Sequence, residues 1–366
     1  MLERGKISPL QAMGLMVGFV LGSAILIIPS AIAVSAKQDA WLSMIVATLA
    51  GLGLIAVYTS LAMKFPGQTF VQYSETILGK FIGKIAGLIL IWFALHLGSL
   101  VVRDSGELFN NTFLPNTPMV VVNGITVLLV ALAVRQGLEV FTRVNDMVFP
   151  LVVFILFMLT MLAIPNTDIR RFMPVLENGV KPVIAGSLSA IGFPFAETIV
   201  FSMILPYINE PQKTKRTFIL GGLAGGLLLT MVILRTIGVL GQVATARLWY
   251  SAIDGVRMIN LFDFIQRVES VIIINWVFFI FIKITVCFYA FVLGLAQWLN
   301  LKDYKLLVLP AGVLMMALSI LLHVNYLELA SFAAKTWTPY TLFIAFIIPL
   351  VIFVVDKIRG TGERGC

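Results

Sequence analysis

Ten stretches of mostly apolar residues run through this sequence, near 10–34, 41–63, 83–109, 118–134, 146–164, 184–208, 217–241, 268–298, 306–324 and 337–355. Each approaches the roughly 20 residues that a helix needs to cross a hydrocarbon layer about 30 Å thick. With no water in that layer, backbone N–H and C=O groups must bond within their own segment. The pattern therefore predicts an all-α integral membrane protein of about ten transmembrane helices. Only 12% of the 366 residues are charged, about half the usual share of a soluble domain. Positions 1–366 read as a single transmembrane domain, because the longest intervals between runs, about 165–183 and 242–267, are short. The second interval mixes polar residues with Trp249, Tyr250, Phe262 and Phe264, which predicts a helix lying along the outer interface.

A net charge of +8 would suit nucleic acid, but Lys and Arg sit in short loops at the ends of the runs. With the N-terminus placed inside, the inner loops hold fifteen basic residues, from Arg4 to Arg364, and the outer loops hold eight. That bias predicts two cytoplasmic termini, a lipid bilayer as the partner, and no nucleic acid. The first run is too long for a signal peptide and lacks a small-residue cleavage site. Cys287 lies inside a run and Cys366 ends the chain, so neither a disulfide framework nor a prenylation box is expected. There is no Cys/His metal spacing, no GxxxxGK[ST] phosphate loop and no nucleophile–base–orienter set. The sequence predicts no cofactor, no metal and no enzyme activity.

Two runs are interrupted at mid-depth. The first contains Gly18, Gly22 and Ser23, then Pro29; the sixth contains Gly192-Phe193-Pro194. Glycine adds backbone freedom and proline removes a donor, so both weaken a helix. Ten runs divide into halves of five, about 10–164 and 184–355. An odd number per half gives the halves opposite topology, and runs one and six then correspond. Interrupted helices in corresponding positions of inverted halves point to a transporter-type binding site. Ordinary kinking or helix packing is the competing explanation. Unwinding at 22–24 would free the N–H groups of a half-helix that starts near Ser23, Ala24 and Ile25, which suits a carboxylate. A second such end lies near Ala196. Carbonyls around Phe193, next to Gly192, suit an ammonium group, and Phe193 and Phe195 are placed to line a side-chain pocket.

Charges inside a membrane need a partner or a cavity, since each costs at least about 2.5–3.5 kcal/mol at mid-bilayer. Glu197 and Lys283 fall at the same depth as Gly22 and are candidates for an ion pair beside the site. The pair has either a role with ligand or ion, or one in helix packing alone. Cys287 shares the face of Lys283. In the third run His96, Ser99, Arg103 and Glu107 follow steps of three and four and share one face. Arg103 either snorkels to the interface or forms an outer gate or ion pair. Asp104, about 100° round the helix, reads as a solvated neighbour. Arg235, in the outer part of the seventh run, is a candidate partner for Glu107 or Asp104.

Several motifs resemble a known family. GSAILIIPS (22–30) looks like the glycine-rich first-helix motif of the amino acid–polyamine–organocation superfamily. It is accompanied by MPVLENGVKPV (173–183), by FPFAETIVFSMILP (193–206) with the basic loop NEPQKTKRT after it, and by RVES (267–270) followed by Trp276. Together, over nearly the whole chain, they resemble the B subunits of spore-germination nutrient receptors, the GerAB-like permease family. The resemblance implies a LeuT-type 5+5 inverted repeat with discontinuous helices 1 and 6, in the inner membrane of a bacterial spore. It implies a sensor of a small-molecule germinant, often an amino acid, that acts with the receptor's A and C subunits. Lys283 departs from the pattern, since relatives tend to carry a small polar residue there. The alternative function is a secondary amino-acid transporter coupled to protons or ions, with Glu197, His96 and Lys283 as its relay.

Overall fold

The computed structural model describes residues 2–3, 5–258 and 269–359. Among them, eight helical stretches are long and apolar enough to cross a membrane, and two apolar helices, Pro9–Leu21 (α1) and Lys305–Leu321, are shorter. The 40-residue stretch Ala24–Met63 turns at Lys37–Asp39 and so comprises Ala24–Ala36 (α2) and Ala40–Met63 (α3). The expected count of ten depends on how these pieces are joined. Arg4, Phe262, Phe264, Arg267 with Val268 of the RVES stretch, Arg364 and Cys366 lie outside the described residues.

After α3 comes Phe70–Leu78 (α4), a short amphipathic helix in what reads as a loop, and it packs along Lys80–Thr112 (α5). Met119–Gln136 (α6) and Leu138–Ala163 (α7) are separated by Gly137 alone. Its φ of 101° lies in the left-handed region that glycine tolerates, which permits so abrupt a reversal. Helix α7 starts eight residues before the apolar run because its first turns carry Glu139, Arg143 and Asp146 at the membrane edge. Val180–Ala190 (α8) leads into the second interruption. Thr214–Leu240 (α9) follows, then Gln242–Arg247 (α10), Ser251–Arg257 (α11), Glu269–Trp298 (α12), Lys305–Leu321 (α13) and Tyr326–Arg359 (α14).

Helices α5 and α12 form the centre and pack on one another; α1 and α3 lie against α9, and α2 and α3 against α8. Large apolar side chains such as Leu128, Met147, Phe154, Ile274 and Val313 remain exposed. On a membrane protein that belt is the surface that meets lipid. In the interval expected to hold an interfacial helix, residues 242–258 are described: Ser251, Ala252, Ile253, Gly255 and Val256 of α11 are buried, and this helix packs on α2, α9 and α12. Its small residues allow that close fit, and Ser251 Oγ meets Ser30 Oγ of α2 at 2.7 Å.

Both described ends gather on one face. Ile7 N–H donates to Tyr207 C=O at 2.9 Å, and Asn209 N–H to Ile7 C=O at 3.0 Å. Buried Glu3 accepts from Leu138 N–H (3.2 Å) and Tyr304 O–H (2.9 Å). Burial, and then the Glu3 carboxylate, push the Tyr304 phenol above its ordinary pKa, so it stays a donor. On the same face Lys64 pairs with Asp356 at 2.7 Å, and Arg359 donates to Ile77 C=O at 2.8 Å.

Candidate binding site at two helix breaks

Helix α1 stops at Leu21. Gly22 takes φ 10° and ψ −125°, which are not helical, and α2 starts at Ala24 with Ser23 before it. A Cβ on Gly22 would meet Lys283 Cδ at 2.5 Å and Phe19 O at 2.8 Å, so the missing side chain lets Lys283 lie across the gap. The second break is at Phe193, with φ −135° and ψ 110°. Pro194 forces it, since the residue before a proline is pushed into extended backbone. The chain resumes as a 3₁₀ helix over Ala196–Met203, and Glu197 lies in its first turn.

Lys283 of α12 joins the two breaks. Its Nζ lies 2.6 Å from Glu197 Oε2 and 3.3 Å from Ser23 Oγ, with the Phe193 and Phe19 rings at 4.6 and 5.1 Å. The other Glu197 oxygen, Oε1, accepts from Trp337 Nε1 of α14 at 2.7 Å. Both charged side chains are fully buried. Each therefore depends on the other and on these extra hydrogen bonds to offset the loss of water. Trp337 belongs to an aromatic group in which His96 packs on Trp92, Trp337 and Tyr340, with His96 Nδ1 3.4 Å from Tyr340 O–H.

A cavity of about 550 Å³ opens beside this pair, away from the face where the described ends gather. Ser23, Phe193, Glu197 and Trp337 form its floor, Ile27, Leu100, Val101 and Asp104 its walls, and Arg247 and Trp249 its mouth. Of the residues singled out in the sequence, Ser23, Phe193 and Glu197 line the cavity, and Gly22 and Lys283 lie directly beside them, whereas Ala196 is buried outside the lining. Other candidates point elsewhere. Phe195 turns from the cavity onto Gly51 of α3. Gly192 is the contact point for α14, where a Cβ would meet Thr338 Oγ1 at 2.6 Å. Cys287 packs on Gly98 of α5, and Ser99 is buried with its hydroxyl donating to Leu95 C=O. Ala24 and Ile25 are buried and do not line the cavity.

Arg103 does not snorkel. It is buried, pairs with Glu107 at 2.8 Å, and donates to the carbonyls of Ser319, Ile320 and His323 at the end of α13. Arg235 is a partner of neither Glu107 nor Asp104. It is buried beside α11, 3.4 Å from Ala252 C=O, because its side of α9 faces that inserted helix. Asp104 is a cavity residue rather than a free surface neighbour. Trp337 escaped the sequence reading: an indole in an apolar run looks like packing until a buried acceptor is placed beside it.

The same architecture recurs in known proteins. Residues 6–327 match the family described as "Spore germination protein". Spore germination protein KB of Bacillus subtilis (strain 168) is 25% identical over 372 residues, covering 100% of this chain and 99% of the relative. Among solved structures, Mhp1, a nucleobase-cation-symport-1 family transporter in a closed conformation with bromovinylhydantoin bound, gives a TM-score of 0.73 at 12% identity, over 97% of this chain and 80% of Mhp1. MhsT in complex with L-phenylalanine gives 0.67 at 15% identity, over 97% of this chain and 99% of MhsT. Likeness at such low identity carries the fold, which is LeuT-type with helices 1 and 6 discontinuous.

Proposed function

Because this chain belongs to the spore germination protein family, we propose that it is the membrane-embedded nutrient sensor of a germinant receptor. A small solute, an amino acid, enters the cavity from outside and settles over the two helix breaks. Its carboxylate faces the N-terminal end of α2, and its side chain lies against Phe193 and Ile27. Binding shifts the equilibrium between arrangements of the inverted halves, about 10–164 and 184–355. A ligand achieves this only through unequal affinity for the two states. The receptor's A and C subunits read the shift. The face that carries the termini is cytoplasmic, and the membrane is the inner membrane of the spore.

The observation that carries this proposal is a solute-sized cavity ending on two interrupted helices bridged by one buried ion pair. Neighbouring folds support the ligand class, since MhsT holds L-phenylalanine and Mhp1 a hydantoin. A thermal-shift screen of the purified protein against amino acids, sugars and monovalent salts tests it. A ligand present at 100 times its Kd adds about 2.7 kcal/mol to stability. At least one amino acid raises the melting temperature; a flat response across the panel defeats the proposal.

Transport is the second possibility, favoured by the closeness of the fold to Mhp1. Proteoliposomes loaded with the protein decide between the two. The sensor binds labelled amino acid without accumulating it, whereas accumulation along a proton or ion gradient establishes a transporter with Glu197, Lys283 and His96 as the groups to test.

A further inference from the structure

The cavity holds one carboxylate that its floor does not explain. At the floor, Glu197 and Lys283 neutralise each other, and both Glu197 oxygens are occupied, one by Lys283 and one by Trp337. A solute ammonium arriving there would have to displace one of those donors. Asp104 is in a different position. It lines the cavity from α5, half-buried, one turn outward of Leu100 and Val101. It joins none of the ion pairs among the described residues.

The nearby cations are engaged. Arg103, its neighbour in sequence, turns the other way to Glu107 and the α13 carbonyls, and Lys283 is held by Glu197. The basic group left in the lining is Arg247, which is exposed at the mouth. A carboxylate in such a wall has lost part of its hydration without gaining a counter-charge, an arrangement that proteins rarely keep unless something supplies the partner. Asp104 lines the cavity between its floor at Glu197 and the exposed Arg247.

We propose that Asp104 is the receptor for a positive charge on the solute, so that the cavity selects amine-bearing molecules, zwitterionic or cationic, over anions and uncharged analogues of the same shape. This rests on the cavity being a solute site. Asp104 then does what the paired Glu197 cannot, and the buried Lys283–Glu197 pair stays intact when the solute binds. The ammonium end faces the α5 wall, and the rest of the molecule lies across Phe193 and Trp337.

The test measures binding to the full-length protein by thermal shift and calorimetry, with the twenty common L-amino acids and D-glucose. Each responding amino acid is paired with its des-amino acid and its decarboxylated amine. Wild type binds the amino acid on the order of 10- to 100-fold tighter than the des-amino acid, the size expected for a charged hydrogen bond. Asp104→Asn closes that gap by weakening the amino acid and leaving the des-amino acid within about threefold, a change well under one such bond. Asp104→Glu, which keeps the charge, retains part of the gap. Ratios within one variant are compared, so a general loss of stability does not imitate the result.

An unchanged gap in Asp104→Asn overturns the role of Asp104 while leaving the cavity a binding site. Equal affinity of wild type for amino and des-amino acids does the same. If no compound of any class shifts a cooperative wild-type transition, the cavity is not a small-solute site, and the broader functional proposal falls with it.

Discussion

Two buried ion pairs found among the described residues are built differently. Arg103 and Glu107 are one turn apart on α5, and Arg103 also closes the carbonyl end of α13. Lys283 and Glu197 are 86 residues apart and meet only when α12, the 3₁₀ helix and Ser23 are assembled. The first pair can form within a single helix, before the bundle closes. The second depends on both helix breaks being in place, and neither member has water to fall back on. A local pair strengthens one element, whereas a distant pair records how several elements are arranged. That makes the Lys283–Glu197 contact the one that a change of bundle conformation must either preserve or break.

Substitutions can test this contrast. The largest effect belongs to Lys283→Met, which leaves Glu197 buried without a counter-charge and lowers unfolding stability in detergent by about 3–5 kcal/mol. Adding Glu197→Leu removes the orphaned charge and restores most of that loss. A double variant as unstable as the single one would mean that packing rather than charge is responsible. Arg103→Leu comes next, at about 2–3 kcal/mol, because Glu107 and the α13 carbonyls lose a donor but are less completely buried than Glu197. Chemical denaturation of the two single variants side by side checks the ranking, and a costlier Arg103→Leu would reverse the contrast drawn above. Trp337→Phe is the mildest, at about 1.5–2 kcal/mol, since it removes one N–H from a carboxylate that keeps its main partner. Solute binding, read by the same thermal shift, should suffer more from Trp337→Phe than from Arg103→Leu, because Trp337 lines the cavity floor and Arg103 does not.

Much of this was legible in the sequence because the residues involved act on their own backbone or against the bilayer. Gly22 and Pro194 break helices through local sterics, so both interruptions could be placed to within a residue or two. Glu197 and Lys283 announced themselves by the cost of charge at mid-depth, and equal depth made them partners. What could not be read was rotation. Phe195 is two residues from Phe193, yet it faces Gly51 across another helix. Arg235 faces α11, which no pattern in its own run reveals. Cys287 sits a turn from Lys283 but meets Gly98, because α5 and α12 cross at that point. Asp104 passed for a surface charge because depth along a helix can be counted, whereas the hollow beside it arises only from how several helices pack.

The short segment before α1 carries a mechanical consequence. Ile7 is stitched by two backbone hydrogen bonds to Tyr207 and Asn209. It thereby fastens the entry of the first broken helix to the exit of the second. The two half-helices beneath the gaps, Pro9–Leu21 and Ala196–Met203, are yoked at their far ends as well as bridged at their near ones. Tilting either one pulls on the other, so the pair behaves as a closed linkage with two hinges rather than as two independent levers.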